Sequence, residues 1–186
     1  MPSSGALGRA LSVVRVLVII QLVYLALVNG ALQLQLTQTI INKIRPEKFH
    51  VSWDNAWSWY PFRVHATGVA ANGQSRSQQW QVNAASASGS IAILPLLAKR
   101  VWLDDVSATD VDYRQRPRLK PDRDYSLILP FYPDIEGREV APADTSPRKK
   151  RRAWHLDMED IEASGTYNYW IYNMKGSASG TLQADM

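Results

Sequence analysis

Cysteine is absent from this 186-residue chain, and histidine is scarce, with three copies. The first absence excludes disulfides, thiolate metal sites and a cysteine nucleophile. It leaves the compartment open, because an exported bacterial domain can fold without disulfides. His50, His65 and His155 are scattered, and none has a second ligand at metal-binding spacing. Each is expected at a strand edge or on a polar face. The carboxylates Asp104/Asp105 and Asp110/Asp112 lack the glycine and closing glutamate of a calcium loop and read as solvated turn residues. Ser86, Ser88 and Ser90 alternate with Ala and Gly without forming a Gly-x-Ser-x-Gly elbow. Neither a phosphate loop nor a dinucleotide fingerprint occurs. No catalytic set, cofactor site or metal site is legible, which leaves binding, scaffolding or transport.

A concentrated positive field is also lacking. The net charge is +4, but two of the 21 basic residues, Arg9 and Arg15, flank or enter the first hydrophobic run. The other 19 face all 17 acidic residues, too even a balance for a phosphate-binding surface. Nucleic acid is therefore not an expected partner. The one basic run, Arg148 to Arg152, follows a Pro-containing stretch and reads as a solvated loop, with anionic headgroups the main alternative.

Acidic residues are missing before Glu47, and no charged residue of either sign occurs from Val16 to Asn42. About 20 helical residues cross a bilayer's hydrocarbon. Residues 11–31 meet that length if Arg15 extends its head group to the near interface, and Leu17, Ile19, Ile20, Leu22, Leu25 and Leu27 supply the anchoring surface. A cleaved signal peptide is the rival reading. The apolar run is longer than a signal peptide's usual core, and Val28-Asn29-Gly30-Ala31 is a poor cleavage site, so a retained single-pass anchor is expected. With Arg9 and Arg15 on its N-terminal side, the positive-inside rule leaves residues 1–10 in the cytoplasm and the remainder across the membrane. Residues 32–46 continue at near-helical spacing with an apolar stripe (Leu32, Leu34, Leu36, Ile40, Ile41, Ile44) until Arg45-Pro46 stops the helix. That extension is expected to cap the first strands of a sheet.

From Phe49 the period becomes two, marking residues 47–186 as β-rich. Seven Trp and eight Tyr against three Phe favour half-buried sheet surfaces, where a ring can pack while its polar atom stays paired. Apolar positions are odd from Phe49 to Trp59 and even from Phe62 to Ala70, so a bulge or sharp bend belongs at Pro61. Asn72-Gly73 signals a hairpin. An odd loop there, such as Asn72 to Gln74, would put Val82 opposite Val64 and Trp80 opposite Ala66. Residues 91–100 suggest a strand end running into a short plugging helical turn. A long strand or bent pair follows through Tyr113. Residues 117–153 form a Pro-rich, basic connection, after which strands resume at Trp154 and close near Leu182. Asp105-Val-Ser-Ala108 echoes Asp160-Ile-Glu-Ala163 at a distance of 55 residues, suggesting stacked antiparallel units. The echo is lost by Tyr113, whose counterpart is Asn168.

Ile91, Leu94-Pro-Leu-Leu97, Val101-Trp-Leu-Asp-Asp-Val106 and Val111-Asp-Tyr-Arg114 resemble the N-terminal part of the AsmA-like family. Trp154 to Ile161 and the aromatic run ending at Lys175-Gly176 are similar to the later strands of such units. The resemblance implies a bacterial inner-membrane anchor with the bulk in the periplasm. It also implies an open, curved, antiparallel gutter-like sheet with a short plug helix, and a part in lipid handling or outer-membrane assembly without catalysis. A phospholipid or other acyl lipid is the expected ligand, and a further β-strand chain a conceivable partner. The expected groove residues are Trp57, Trp59, Val64, Trp80, Val82, Leu103, Leu156, Tyr169, Trp170 and Ile171. The alternative is an anchored scaffold that holds partner proteins through its sheet edges and aromatic face.

Overall fold

A computed structural model of the chain describes residues 4–44, 46, 48–92, 94–95, 98–121, 123–138 and 155–184. Two helices open it, α1 (Ser4–Gln33) and α2 (Gln35–Ile44). The uncharged aliphatic run makes α1 continuous. The break at Leu34 leaves the Ala31 carbonyl to accept from the Leu34 N–H at 3.2 Å and the Thr37 hydroxyl at 2.5 Å. Helix α2 ends at Ile44, just ahead of Pro46, as expected where proline blocks helical geometry in the residue before it.

Eight strands follow: β1 (Phe49–Ser52), β2 (Asn55–Trp57), β3 (Arg63–Gln74), β4 (Gln78–Ala92), β5 (Arg100–Pro117), β6 (His155–Met158), β7 (Ile161–Ile171) and β8 (Met174–Ala184). They build one open sheet in the order β1-β3-β4-β5-β7-β8, with β2 also on β3 and β6 also on β5. The mainly β architecture behind an N-terminal apolar helix is as the alternating pattern predicts. The bend expected at Pro61 is a full reversal, since β2 returns antiparallel on β3.

Two expectations about pairing fail. Asn72 and Gly73 lie inside β3, opposite Gln81 and Trp80. The chain reverses later, where the Ser75 N–H donates to the Gln78 carbonyl at 2.8 Å around Arg76-Ser77. Val82 therefore faces Ala71, and Val64 faces Gly89. Asn-Gly misleads here because the Trp80 ring lies over Gly73 so closely that a Cβ there would come within 2.5 Å of it. The glycine serves packing against an aromatic neighbour across the ladder instead of a turn.

The second failure concerns the internal echo. The two segments are parallel neighbours: Arg100 to Leu103 lie beside His155 to Met158, and Val106 to Ala108 beside Ile161 to Ala163. The 55-residue offset of the sequence is the register of the pair. Asp105 (φ 51°) and Asp160 (φ 49°) both take left-handed backbone at equivalent points, a conformation Asp tolerates better than most residues. The same kink in adjacent strands keeps them in step. A further irregularity at Asp110 (φ 52°) changes the register by one, so Tyr113 stands beside Tyr167. The echo fades from the sequence there, although the strands stay paired.

The Pro-rich connection is an ordered excursion through residues 118–121 and 123–138, with a 3-10 turn at Leu129–Phe131. Leu119, Tyr132 and Ile135 are buried, and two buried arginines staple it to the sheet. Arg116 donates to Gln79 Oε1 (3.2 Å) and to the carbonyls of Pro133 and Arg138 (both 2.8 Å). Arg138 donates to Asn72 Oδ1 at 3.1 Å. The basic run at 148–152 lies outside the described residues, as do positions 93, 96 and 97 of the segment expected to hold the plug turn, of which Leu94 and Pro95 are helical.

Candidate functional site: an apolar sheet face

Residues directly opposite across a ladder share a face, so the registers define the two surfaces. One row runs Phe49, Gly73, Trp80, Gln115, Tyr169, Gly176. The next runs Val51, Ala71, Val82, Tyr113, Tyr167, Ala178. Beyond them, Ala84, Val111 and Ala163 form a buried cluster against which Val69, Val82, Ala108, Tyr113 and Tyr167 pack. Ala66, Ala87, Ala108, Ala163 and Leu182 form a further row. Apart from Gln115, whose Oε1 accepts from the Tyr113 hydroxyl, these rows hold aliphatic, aromatic and glycine residues.

The opposite surface is polar in the same registers. His50, Asn72, Gln81, Arg114, Asn168 and Ser177 form one of its rows. Ser86 and Ser88 pair by hydroxyl with Thr109 (2.7 Å) and Ser107 (2.9 Å), so the serine series is a cross-strand ladder. The excursion packs on this polar side, through Arg116, Arg138 and a hydrogen bond from the Glu136 N–H to Gln81 Oε1. Among the described residues, the helices pack on β1 and β2 at the sheet's edge, and Val69, Val82, Tyr113 and Tyr167 stay half-buried.

The apolar surface stays in phase only because three strands shift together. Left-handed backbone at Gly68 (φ 60°) and Asp110 (φ 52°) interrupts β3 and β5, and β4 carries a matching change between Ala84 and Ala87, both on the apolar side. On β3 the even apolar set before Gly68 gives way to the odd set Val69, Ala71, Gly73. The alternation seen in the sequence thus mixes two phases of one face.

Of the expected groove residues, Val64, Trp80, Val82, Leu103, Tyr169 and Ile171 lie on the apolar surface by register. Trp57 and Trp170 are on the other one. Trp57 stacks on His65 at 5.8 Å between ring centroids, and Trp170 lies beneath Lys175 Nζ at 5.1 Å. Trp59 is in the β2–β3 turn and exposed. Leu156 is placed beside Val101 by register. Tyr113, Tyr167, Val111 and Val69 are contributors that the sequence reading missed. The tyrosines keep their polar ends paired, with the Tyr113 hydroxyl donating to Gln115 Oε1 at 2.6 Å and that of Tyr167 to the Ala163 carbonyl at 2.5 Å. Burial pushes both phenols above the ordinary tyrosine value.

The β1–β2 edge is closed from outside by the helices. Asn42 exchanges two 2.8 Å bonds with the Val51 backbone, and Gln38 donates to the Trp53 carbonyl at 2.8 Å. Gln33 donates to Ala56 at 3.0 Å, and Asn29 accepts from the Ser58 N–H at 2.7 Å and donates to its carbonyl at 3.1 Å. These side chains act as a substitute strand, satisfying the outward carbonyls of an edge that would otherwise invite pairing. The extension does cap the first strands, as expected, but with its amides: Leu34, Leu36 and Ile40 remain exposed. Polar residues recurring about once per turn in an uncharged helix were the signal for it.

Exposed apolar side chains also cover α1. Leu17, Ile19, Ile20, Leu22 and Leu27 face outward, as do Arg9 and Arg15, whereas Leu25 is half-buried. Residues Leu11–Gln33 make one helix long and apolar enough to cross a membrane. A crevice of about 670 Å³ separates α2 from β1, but Gln35, Gln38, Asn42, His50 and Asp54 give it a polar wall. Among the described residues, no three His, Asp or Glu side chains converge as metal ligands. Comparison with family models, curated proteins and solved structures gives no match for this chain.

Proposed function

We propose that this protein is a membrane-anchored lipid-handling protein whose open sheet holds acyl chains against its apolar face, without catalysis. The observation that carries the proposal is the predominantly apolar surface from Phe49 to Leu182, with Gln115 as its one polar row member, on a sheet whose helices and excursion pack elsewhere. Covering apolar area recovers about 25 cal/mol per Å², and an extended patch of this kind marks a binding surface in soluble proteins. An acyl chain meets that need without directional chemistry. In this reading α1 is the anchor, Arg9 and Arg15 hold the N-terminus in the cytoplasm, and the sheet lies in the periplasm beside the inner membrane of a Gram-negative cell. The resemblance to AsmA-like proteins supports the same assignment. Protein extracted in detergent is expected to carry phospholipid detectable by mass spectrometry. A monodisperse, folded preparation that carries none and takes up none from vesicles contradicts it.

A second reading, an anchored scaffold, is favoured by β8. Among the described residues nothing pairs with its outer side, in contrast to the amide-capped opposite edge. Crosslinkers placed along β8 separate the two: protein adducts there, with no lipid on the apolar face, support the scaffold.

A further inference from the structure

The turn between β2 and β3 stands against α1 at a level that a spanning helix must hold inside the bilayer. Gln21 Nε2 donates to the Trp59 carbonyl at 3.0 Å, and the Tyr24 hydroxyl donates to the Tyr60 carbonyl at 3.2 Å and accepts from the Phe62 N–H at 3.1 Å. Asn29 holds the Ser58 backbone by both its N–H and its carbonyl. At 1.5 Å per residue, Tyr24 and Gln21 lie about 14 and 18 Å along the axis before Gln33. A span of about 20 residues counted from either Arg9 or Arg15 encloses all three anchoring side chains.

We infer that residues 58–62 form an aromatic wedge that enters the phospholipid bilayer beside α1, a second membrane contact; the inference rests on the reading of α1 as the anchor. Several features fit that environment. Four of the turn's five carbonyls, those of Ser58, Trp59, Tyr60 and Phe62, are paired inside the protein, as are the Ser58 and Phe62 N–H groups, which lowers the cost of hydrocarbon: besides the helix bonds, the Arg63 N–H donates to the Tyr60 carbonyl (3.3 Å) and the Ile91 N–H to that of Phe62 (2.8 Å), and Pro61 has no N–H to satisfy. The helix's polar groups, costly in lipid when alone, are the partners. The side chains pointing away are Trp59, Tyr60 and Phe62, exposed by 63%, 69% and 50%, the residue types that suit a membrane interface. Phe62 does this at φ 71°, a conformation strained for a bulky residue. Exposed Leu94 follows β4, whose Ile91 bonds to Phe62.

The cysteine-free chain permits a direct test. Full-length protein carrying one nitroxide at Trp59→Cys, Tyr60→Cys or Phe62→Cys is reconstituted in phosphatidylcholine–phosphatidylglycerol vesicles. Collision with oxygen and with a polar nickel reagent is then read by electron paramagnetic resonance. Leu22→Cys reports on the anchor, and Tyr172→Cys, equally exposed at the far end of the sheet, reports on water. The expected result is nickel accessibility at 59, 60 and 62 several-fold below that at 172 and close to that at 22. Labels at 59–62 that match 172, while 22 is shielded, overturn the wedge and leave the anchor intact. A label at 22 that is as wet as 172 overturns both.

Discussion

The two faces of this sheet are built from the same strands, residue by alternate residue, yet they are finished in opposite ways. The polar face is completed internally, by serine and threonine ladders, by Arg114 paired with Asp112, and by an excursion stapled through Arg116 and Arg138. The apolar face has a small buried centre at Ala84, Val111 and Ala163, and half-buried surroundings. One face satisfies its polar groups within the chain, and the other keeps its apolar margins half-buried. Adjacent residues therefore report on different physics.

The sharpest contrast is between neighbours Val111 and Asp112. Val111 is 5% exposed, so Val111→Asp buries a carboxylate with no partner and should cost about 4 kcal/mol or unfold the sheet. Chemical denaturation followed by circular dichroism checks this. Gly165→Ala comes next. A Cβ there would lie 2.1 Å from the Val111 carbonyl oxygen and 2.4 Å from its nitrogen, both rigid backbone. Prising β7 from β5 should lower stability by about 3 kcal/mol, visible as an earlier denaturation midpoint. Asn42→Leu strips the Val51 backbone of two partners at the capped edge. A loss of about 1–2 kcal/mol is expected, together with faster hydrogen exchange in β1.

Alkali should act on the apolar face through its two half-buried tyrosines, as it should on buried Tyr132 of the excursion. Tyr113 and Tyr167 have raised values because burial disfavours the phenolate, so the unfolded chain loses these protons first. Their contribution is complete below the ordinary tyrosine value near 10 and is lost as pH rises through the folded-state values. A stability profile falling above about pH 10, flattened in Tyr113→Phe and Tyr167→Phe, checks the sign. The smallest effect belongs to the polar face. Asp112→Ala removes a half-exposed ion pair with Arg114 and should stay within about 0.5 kcal/mol of the parent. A loss as large as that of Val111→Asp would mean that the two faces are not differently finished.

The edges repeat the lesson of the faces. The β1–β2 edge is capped by Asn29, Gln33, Gln38 and Asn42, while β8 ends the sheet. The helices and the strand-rich remainder follow from aliphatic length, period-two patterning and Pro46. The register was harder. Asn72-Gly73 carries the local signal of a turn, but the Trp80 ring needs that glycine in the strand. Trp57 and Trp170 were expected in the groove, whereas the β2–β3 reversal and the β7 phase put them on the polar side. Gly68 and Asp110 shift the phase of whole strands, and a left-handed residue inside a strand leaves no periodic trace. The 55-residue echo was visible in the sequence. Its meaning as a parallel register was not, because parallel pairing is decided by a long connection whose path no local pattern encodes.

The account stands or falls on which face meets lipid. Photo-crosslinkers placed singly at Val82 and Asn83, adjacent on β4 and on opposite faces, in full-length protein in its membrane, test this most directly. Phospholipid adducts at position 82 and none at 83 are the predicted result. Equal lipid labelling at both positions, or adducts at 82 consisting only of protein, would contradict it.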